Sequence, residues 1–469
     1  MIRVAGGPIL EYTLKSLHQA GFREIMMVVN HEQEGIRAHF GSGDHLNLNL
    51  EYVVQESPKG IGNALWTCRS WLENEPFCLV YGDVLTDGNP FIPMLDAYSE
   101  SGQDLALVTL PASSSEFGNV YLDPEMHISK LVEKPVEVQA NYVFAGMFIL
   151  HSEIFSLLEK NGQSMSGAFQ SLIQDSVMKA CLWGEGWIDI IYPWHILEAN
   201  QLLMKSWDEA RIDQSVELKG RVQIGGPVVI EEGVRIESGS VLKGPCFIGK
   251  NCYIGNNVLI RSHTALGPGS IVGYGCELKN SVVFGASDIG RLSFLGDSVL
   301  GEKTQLGSGL TTVNHSPDYS PISCQIEGKK VQTGLAKLGA FIGDGVNLGA
   351  RHTLPPACII PVGKQIPDNI TLLKKEPLMC GISGIIDQKP VTRNLVTSIA
   401  NLEYRGYDSC GMAMLNGKGI EVRKNTGGVE EVRSREKLDM MTGNLGIAHT
   451  RWATHGGVTM ENAHPHLSQ

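Results

Sequence analysis

The sequence lacks several features that would place the protein in other functional classes. Its 469 residues contain no apolar run near the length of about 18 residues that a membrane span needs, and its N-terminus lacks a signal-peptide pattern. A net charge of −12 leaves no basic surplus for binding nucleic acid. The ten cysteines include no C-x-x-C pair. These absences predict a protein of the reducing cytoplasm, without membrane or nucleic-acid partners.

A six-residue repeat is the most regular feature that is present. Between Val222 and Ser287 a large apolar side chain stands at every sixth position, often followed by glycine. The positions are Ile224, Ile230, Ile236, Leu242, Ile248, Ile254, Ile260, Leu266, Val272, Leu278 and Phe284. Because helices repeat near 3.6 residues and strands near 2, this period favours a left-handed parallel β-helix with coils of about eighteen residues. A β-sandwich with regular turns is the alternative, and the unbroken register argues against it.

The bounds of this β-helix follow from where the repeat fails. We expect a first interruption at Asp288–Asp297, a resumption at Val299, and a second break at the polar loop Asn314–Thr333. Prolines after residue 354 are expected to close the β-helix. The sequence therefore predicts a linker over residues 206–216 and a β-helix over residues 217–372.

Residues 1–205 alternate short apolar runs with helical spacing. Strands are predicted at Glu24–Val29, Phe77–Tyr81, Leu105–Leu110 and Tyr142–Leu150. Helices are predicted over Pro8–Ala20 and Gly60–Leu72. This alternation is typical of an α/β sheet with crossover connections.

Ordered motifs in this segment resemble those of the sugar-1-phosphate nucleotidylyltransferases. They are PILEYTLKSL, GDV, LVEKP, AGMFIL and WIDIIYPWHILEAN. Together with the β-helix, residues 1–372 resemble an archaeal-type bifunctional family that joins a uridylyl- or thymidylyltransferase to a glucosamine-1-phosphate N-acetyltransferase. The resemblance implies a Rossmann-like nucleotidyltransferase fold, UTP or dTTP and a sugar-1-phosphate as substrates, acetyl-CoA as co-substrate, and a homotrimer formed through the β-helix.

Two aspartates are the candidate metal ligands. Attack of a sugar phosphate on a nucleoside triphosphate depends on positioning and charge neutralisation, usually with Mg²⁺. Carboxylates at strand ends are suitable Mg²⁺ ligands, and Asp83 follows a predicted buried strand. By itself an Asp there is an ordinary turn residue. The resemblance implies Asp83 and Asp189 as the pair of ligands, and their family order favours that interpretation.

The resemblance also implies residues that hold the two substrates. Gln55 stands where the family reads the base, and Gly60 opens the loop that lies against it. Ile61 replaces the family's usual Thr, so the nucleotide preference stays open. The residues implied for the sugar and its phosphate are Gly118, Glu133 and Lys134.

The family begins with a strand and a loop of the form G-x-G-T-R-L, followed by P-K-P-M, which binds the triphosphate. In this sequence Met1 aligns with the Met of P-K-P-M. The alignment implies a nucleotidylyltransferase domain that lacks its first strand and Gly-rich loop. From the sequence as it stands we therefore expect poor nucleotide transfer.

The acetyltransferase motif departs from the family at its general base. The family carries G-H-L-[ST]-Y-[LV]-G-D, whereas this sequence has Arg291 in place of the His and Phe294 in place of the Tyr. An Arg cannot act as a base because its pKa is above about 12. His315 is the candidate substitute, although a single loop histidine is more often simply solvated. The resemblance implies Asn314 as a sugar contact and Lys337 as part of the CoA site.

The sequence motifs change at Met379. MCGISGII, LEYRGYDS and HTRWATHG resemble the opening of glucosamine-6-phosphate synthase, whose glutaminase domain is an α+β fold of the N-terminal-nucleophile class. The resemblance implies a partial glutaminase domain over residues 379–469. Cys380 is then the nucleophile, and Arg451, Trp452 and His455 belong to the glutamine pocket. Because such a cysteine needs a free α-amine and Cys380 follows Met379, we expect no glutamine hydrolysis.

The three resemblances point to one pathway, from fructose-6-phosphate to UDP-N-acetylglucosamine. The function predicted is sugar-1-phosphate nucleotidyl transfer, with a β-helix domain for acetyl transfer. Two alternatives stay open. One is a non-catalytic β-helix scaffold or regulatory paralogue, which Arg291 favours, and the other is glutamine amidotransferase activity of the C-terminal segment.

Overall fold

A computed structural model of the chain describes residues 1–30, 34–56, 59–72, 75–110, 118–132, 142–175, 178–368, 381–403, 408–451 and 457–467. The chain divides into two compact units, Met1–Leu372 and Leu373–Gln469. Within the described ranges, none of the helices has the length and apolar character needed to cross a membrane.

The first part of the first unit alternates strands and helices. Its strands are β1 (Arg3–Val4), β2 (Gly7–Pro8), β3 (Glu24–Val29), β4 (Asn49–Val54), β5 (Phe77–Val80), β6 (Val84–Thr86), β7 (Leu105–Thr109), β8 (Asn119–Leu122), β9 (Ile128–Val132), β10 (Tyr142–Leu150), β11 (Lys179–Trp183) and β12 (Trp187–Asp189). Its α-helices are α1 (Ile9–Gln19), α2 (Glu34–Phe40), α3 (Ile61–Thr67), α4 (Arg69–Leu72), α5 (Phe91–Ser101), α6 (Glu153–Lys160), α7 (Met165–Asp175) and α8 (His195–Met204). The strands predicted at β3 and β10 have the predicted bounds, and those at β5 and β7 end one residue earlier.

The central sheet of this α/β part has the order β11-β7-β10-β8-β9, and β5 also pairs with β10. β10 runs antiparallel to both β5 and β7, so β5 and β7 run in the same direction. Their carboxyl ends therefore lie at one edge of the sheet. The parallel pair β3–β4 is a separate sheet. Met27 of β3 nevertheless lies in the same apolar core as Leu105 of β7 and Met147 of β10.

The second part of the first unit is built from short strands. These are β13 (Arg211–Ile212), β14 (Glu217–Leu218), β15 (Gln223–Gly225), β16 (Val228–Ile230), β17 (Arg235–Ile236), β18 (Val241–Lys243), β19 (Cys246–Ile248), β20 (Tyr253–Ile254), β21 (Leu259–Ile260), β22 (Thr264–Leu266), β23 (Ile271–Val272), β24 (Glu277–Lys279), β25 (Val282–Val283) and β26 (Asp288–Ile289). They continue with β27 (Phe294–Gly296), β28 (Val299–Leu300), β29 (Gln305–Leu306), β30 (Thr311–Thr312), β31 (Ser323–Ile326), β32 (Lys329–Gln332), β33 (Ala340–Ile342), β34 (Asn347–Leu348), β35 (Thr353–Leu354), β36 (Cys358–Ile360) and β37 (Gln365–Ile366).

These strands form a parallel β-helix with three faces. The first face is β13-β16-β19-β22-β25-β28-β33-β36, the second is β14-β17-β20-β23-β26-β29-β34-β37, and the third is β15-β18-β21-β24-β27-β30-β35. Each strand pairs in parallel with its counterpart one coil away, as Ile236 does with Ile254. The parallel ladder starts at β13, inside the predicted linker of residues 206–216, because Ile212 pairs with Ile230.

The predicted repeat supplies the interior of the β-helix. The repeat positions from Ile230 to Leu278 are each at most 1% exposed. The six-residue spacing predicts that every repeat position, including Phe284, points into the β-helix, and for Phe284 that prediction is wrong. Leu266 pairs with Val283, because this coil is one residue shorter than those before it. Val283 therefore lies inside, and Phe284 packs on the outer surface.

The predicted interruption at residues 288–297 was also wrong. β26 and β27 continue the ladder, with Val272 paired to Ile289 and Leu278 paired to Leu295. The shorter coil moves the interior positions one residue earlier, so Ile289 and Leu295 follow Val283 at six-residue spacing. The second predicted break is confirmed, since residues after Asn314 leave the ladder and form the antiparallel hairpin β31–β32.

The α/β part packs directly against the first face of the β-helix. Helix α8 and the N-terminal segment bury the outward side chains of that face, so Phe247, Val282 and Phe341 are at most 5% exposed. Asn200 of α8 joins the two parts. Its Oδ1 accepts from Ala5 N at 2.8 Å, and its Nδ2 donates to His263 O at 2.8 Å.

The second unit contains the antiparallel sheet β38-β41-β39-β40. Its elements are β38 (Gly381–Ile386), α9 (Thr392–Ala400), β39 (Ser409–Asn416), β40 (Gly419–Thr426), α10 (Val429–Glu436) and β41 (Leu445–Arg451). Both helices contribute to one apolar core with the sheet, through residues such as Leu395, Val432 and Met412. This is an α+β arrangement.

Candidate functional site

Asp83 and Asp189 lie side by side although they are far apart in the sequence. β6 pairs with β12 so that Val84 lies opposite Asp189, and Ile190 N donates to Asp83 O at 3.0 Å. Both carboxylates lie at the sheet edge where β5 ends. The described residues contain no cluster of three or more His, Cys, Asp or Glu that could hold a metal. The charges of Asp83 and Asp189 both act on the phenol of Tyr81, so the two carboxylates lie near one point. Such a pair fits Mg²⁺, which commonly takes one or two protein carboxylates together with substrate phosphates and water.

Tyr81 is a member of this site that the sequence reasoning missed. Burial raises the pKa of its phenol, and the nearby charges of Asp83 and Asp189 raise it further. The phenol therefore stays protonated and can donate a hydrogen bond. Tyr81 N donates to Gly146 O at 2.9 Å. Gly146 has φ +77°, and a side chain there would crowd Tyr81 and Val84. The available signal was the position of Tyr81 directly before Gly82–Asp83.

The residues predicted to read the base form an amide network. Gln55 Nε2 donates to Gly60 O at 3.1 Å and to Asn63 Oδ1 at 2.8 Å. Asn63 Nδ2 donates in turn to Gln163 Oε1 at 2.7 Å. Gly60 has φ +94°, with open space where a side chain would be. The sequence reasoning found Gln55 and Gly60 and missed Asn63 and Gln163. Gln163 comes from the turn between α6 and α7, so spacing could not reveal it.

The predicted sugar-binding residues are only partly within the described chain. Gly118 directly precedes β8. Asn119 in β8 pairs with Val132, the last residue of β9. Glu133 and Lys134 lie outside the described residues.

The predicted acetyl-transfer residues lie at two different corners of the β-helix. Arg291 is exposed at the corner between the second and third faces. Asn314 lies at the corner between the third and first faces, where its Nδ2 donates to Asp297 Oδ2 at 2.5 Å. Arg291 and Asp297 flank the opposite ends of β27, so one chain does not bring Arg291 and Asn314 together.

The corner around Asp297 contains a cluster of polar side chains that hydrogen-bond one another. Asp297 is 5% exposed, and its carboxylate accepts from Lys279 Nζ at 3.0 Å and from Asn280 Nδ2 at 2.8 Å. The sequence reasoning missed Lys279 and Asn280, which come from the coil before. Lys337 is exposed at the end of the inserted loop. The loop closes because Leu338 N donates to Asn314 O at 2.8 Å.

His315 is held beside this cluster. Its ring stacks on Tyr319 with centroids 4.7 Å apart and planes 9° apart. His315 Nδ1 lies 3.0 Å from Ser316 O, so Nδ1 carries the proton in that contact. The other ring nitrogen, Nε2, is then the one able to accept a proton.

In the second unit, Cys380, Trp452 and His455 lie outside the described residues. Arg451 is 7% exposed and pairs with Ser409 across β41 and β39. Next to it in β41, His449 lies with its ring centroid 4.3 Å from that of His464. Burial, together with the nearby positive charges of His464, Arg451 and His466, lowers the pKa of His449 to about 4. The sequence reasoning missed these histidines.

Comparison with protein families and known proteins gives the following matches. The model of the nucleotidyl transferase family matches residues 1–206, and that of the GMPPB C-terminal domain matches residues 242–375. The "Bifunctional protein GlmU" of Methanocaldococcus jannaschii is 32% identical over 397 residues, covering 81% of this chain and 93% of that protein. The "Bifunctional sugar-1-phosphate nucleotidylyltransferase/acetyltransferase" of Sulfurisphaera tokodaii is 30% identical over 364 residues, covering 76% of this chain and 87% of that protein.

A solved structure is also similar to part of the chain. A putative glucose-1-phosphate thymidylyltransferase from Bacillus anthracis has a TM-score of 0.41 and 20% identity, covering 43% of this chain and 85% of that one.

Proposed function

The chain belongs to the family of bifunctional sugar-1-phosphate nucleotidylyltransferases and acetyltransferases and is an enzyme, and from this premise we propose that residues 1–205 transfer a nucleotidyl group. The donor is UTP or dTTP, the acceptor is a sugar-1-phosphate, and pyrophosphate is released. The pairing of β6 with β12, which puts Asp83 beside Asp189, is the observation that carries this proposal. The product belongs to UDP-N-acetylglucosamine biosynthesis.

In this reaction a phosphate oxygen of the sugar attacks the α-phosphorus of the nucleotide, and the bond to pyrophosphate breaks. Asp83 and Asp189 would hold Mg²⁺, which supplies charge neutralisation for the phosphates when bound. The phenol of Tyr81 stays neutral beside them, so it is able to donate a hydrogen bond to a bound substrate. The amide network of Gln55, Asn63 and Gln163 orients the base through donors and acceptors fixed against one another.

The test is pyrophosphate release from UTP or dTTP with glucose-1-phosphate or N-acetylglucosamine-1-phosphate. We expect slow Mg²⁺-dependent turnover, in keeping with the poor nucleotide transfer predicted from the sequence, and we expect Asp83→Ala to remove it. Asp96→Ala is the matched control, because Asp96 is exposed on α5. Turnover that survives Asp83→Ala, or that Asp96→Ala removes equally, would contradict the proposed site.

For the β-helix we propose acetyl transfer from acetyl-CoA to glucosamine-1-phosphate, slow in this chain and carried out by a homotrimer. Arg291 at the family's base position supports the low rate. The separation of Arg291 from Asn314 by β27 supports a site completed by a second copy. The first face is covered by α8, so the second and third faces would meet the other copies. A non-catalytic scaffold is the competing function, favoured by the same Arg291.

For residues 379–469 we propose a glutaminase-like fold that does not hydrolyse glutamine in this chain. The α+β arrangement of the second unit and the burial of Arg451 support the fold assignment. The peptide bond from Met379 leaves Cys380 without a free α-amine, which supports the absence of activity. The test is glutamate release from glutamine by the intact chain, and turnover with labelling of Cys380 would contradict it.

A further inference from the structure

A buried amide in strand β8 has no hydrogen-bond partner among the residues that the structure describes. Asn119 is 0% exposed, and neither its Oδ1 nor its Nδ2 has a hydrogen-bond partner among the described residues. A buried polar group without a partner destabilises the folded state, and nearly all such groups in proteins are satisfied. An apolar side chain of similar size would avoid that cost. The free amide therefore points to a ligand.

The pairing of β8 shows which side of the sheet Asn119 faces. Asn119 lies opposite Val143 of β10, and Val143 lies opposite Thr109 of β7. Directly paired residues point to the same face of a sheet, so Asn119 shares a face with Val143 and Ala145. Trp187 packs in the apolar core that contains Ala145, and its Nε1 donates to Ala145 O at 3.0 Å. Trp187 begins β12, the strand that ends at Asp189.

The same strands relate Asn119 to the two carboxylates. Gly146 O of β10 accepts from Tyr81 N at 2.9 Å, and Tyr81 stands two residues before Asp83. Val143, the partner of Asn119, is three residues along β10 from Gly146, which is roughly 10 Å of strand. Ligands of open α/β sheets bind at the carboxyl edge, where β5 and β7 both end. A sugar whose phosphate lies at Asp83 and Asp189 has the length to reach Asn119.

Resting on the proposed nucleotidyl transfer, we infer that Asn119 is a specificity-determining residue that hydrogen-bonds a neutral substituent of the acceptor sugar. The amide offers two N–H donors and an acceptor oxygen without charge. Its neighbour Val143 is apolar and 0% exposed, so a charged substituent would be poorly solvated there. The acetamido carbonyl accepts from Nδ2, and an amide carbonyl is a stronger acceptor than a hydroxyl oxygen. The N–H of this trans amide points away from its carbonyl, so Oδ1 accepts from a neighbouring ring hydroxyl. A hydroxyl is a weaker match.

The test compares Asn119→Leu with the unchanged full chain. We expect the KM for N-acetylglucosamine-1-phosphate to rise about 100-fold, because the site loses the hydrogen bonds of Oδ1 and Nδ2 to the sugar. The KM for the nucleotide should change less than twofold. The ratio of kcat/KM for N-acetylglucosamine-1-phosphate to that for glucose-1-phosphate should fall. The melting temperature without substrate should stay level or rise, because an unpaired buried amide is removed.

Asn89→Leu is the control, since Asn89 uses both amide atoms within the fold. Its Nδ2 donates to Ser16 O at 2.8 Å, and its Oδ1 accepts from Phe91 N at 3.1 Å. We expect this variant to lower the melting temperature and to leave the sugar preference unchanged.

The following outcomes decide whether Asn119 binds the sugar. An unchanged sugar preference in Asn119→Leu, with an active parent chain, would overturn the inference while leaving the proposed function intact. A fall in melting temperature like that of Asn89→Leu, with the sugar preference unchanged, would make Asn119 a structural residue. If the parent chain shows no turnover, calorimetric binding of N-acetylglucosamine-1-phosphate replaces the rates. Weaker binding to Asn119→Leu then supports the inference, and equal or absent binding in both chains overturns it.

Discussion

The two candidate sites of the first unit are assembled in opposite ways. Asp83 and Asp189 are distant in sequence, and the pairing of β6 with β12 joins them. Arg291 and Asn314 are close in sequence, and β27 keeps them at opposite corners. In an α/β sheet, long-range pairing collects residues at one edge. In a β-helix, neighbours in space are one coil apart, as Lys279 and Asp297 are. Distance along the sequence therefore means different things in the two parts.

The largest change in activity is expected at the site of Asp83 and Asp189, which long-range strand pairing assembles. We predict that Asp83→Ala and Asp189→Ala each lower nucleotidyl transfer about 10³-fold, because each removes charge that positions the metal and phosphates. The double variant should be little worse than either single variant, since groups that act as a unit are not additive. Pyrophosphate release over a range of Mg²⁺ concentrations measures this. Multiplied losses in the double variant would mean that the two carboxylates act independently.

The next largest effect is a gain in the rate of acetyl transfer, from a substitution at the β-helix corner that carries Arg291. We predict that Arg291→His raises acetyl transfer to glucosamine-1-phosphate about 100-fold, because a positioned base replaces a permanent cation. Release of CoA thiol measures the rate. Arg351→His is the matched control, because Arg351 is exposed at the same corner beyond Gly309. Equal rates before and after Arg291→His would point to His315 as the base.

A change in mass should test whether a second copy completes the corner. We predict that the full chain in solution has about three times the mass of one chain. Ile271 is 43% exposed on the second face. Ile271→Asp should lower that mass by placing a charge in the contact between copies. Light scattering measures both chains, and a single-chain mass for the unchanged protein would contradict the homotrimer.

The smallest effect is expected for the pH dependence of stability in the second unit, where strand pairing again brings together residues that are distant in sequence. The pKa of His449 lies at about 4, below the ordinary value near 6.5. Between these values the unfolded chain binds more protons than the folded one. The stability that neutral His449 contributes is therefore complete above about pH 6.5 and falls as the pH drops toward 4.

Hydrogen exchange of the β41 amides, corrected for intrinsic rates, measures this dependence. His449→Asn should flatten it. His127→Asn is the control, because His127 lies in the first unit and contacts Asp123 at 3.3 Å. Protection in β41 that does not vary between pH 4 and 7 would contradict the prediction.

The interior of the β-helix could be predicted because each coil repeats the same requirement. Ile254 and Leu278 meet equivalent surroundings, so their spacing alone identified them. The same reasoning failed at Phe284, because a shorter coil moves Val283 into its place. It failed again at residues 288–297, because the same one-residue shift places Ile289 and Leu295 at the interior positions.

The residues of the candidate sites could be named from the sequence only where a motif carried them, and their roles stay predictions. Asp83 stands in a recognisable Gly-Asp pair, and the resemblance supplied its partner Asp189. Gln163 and Asn280 gave no local signal, because each acquires its role from a residue on another element. Asn119 shows the same limit. Its amide is ordinary in the sequence, and only its burial without a partner distinguishes it.

The packing of the first face has a consequence for how the first unit unfolds. Asn200 contacts both the α/β part and the β-helix, and the apolar layer around Phe247 contains residues of both. Cutting the chain between α8 and β13 would leave that layer open to water on both fragments. The two catalytic parts should therefore melt in one cooperative transition, with a single calorimetric peak. A substitution on either side of the junction would then change the thermal resistance of both activities together.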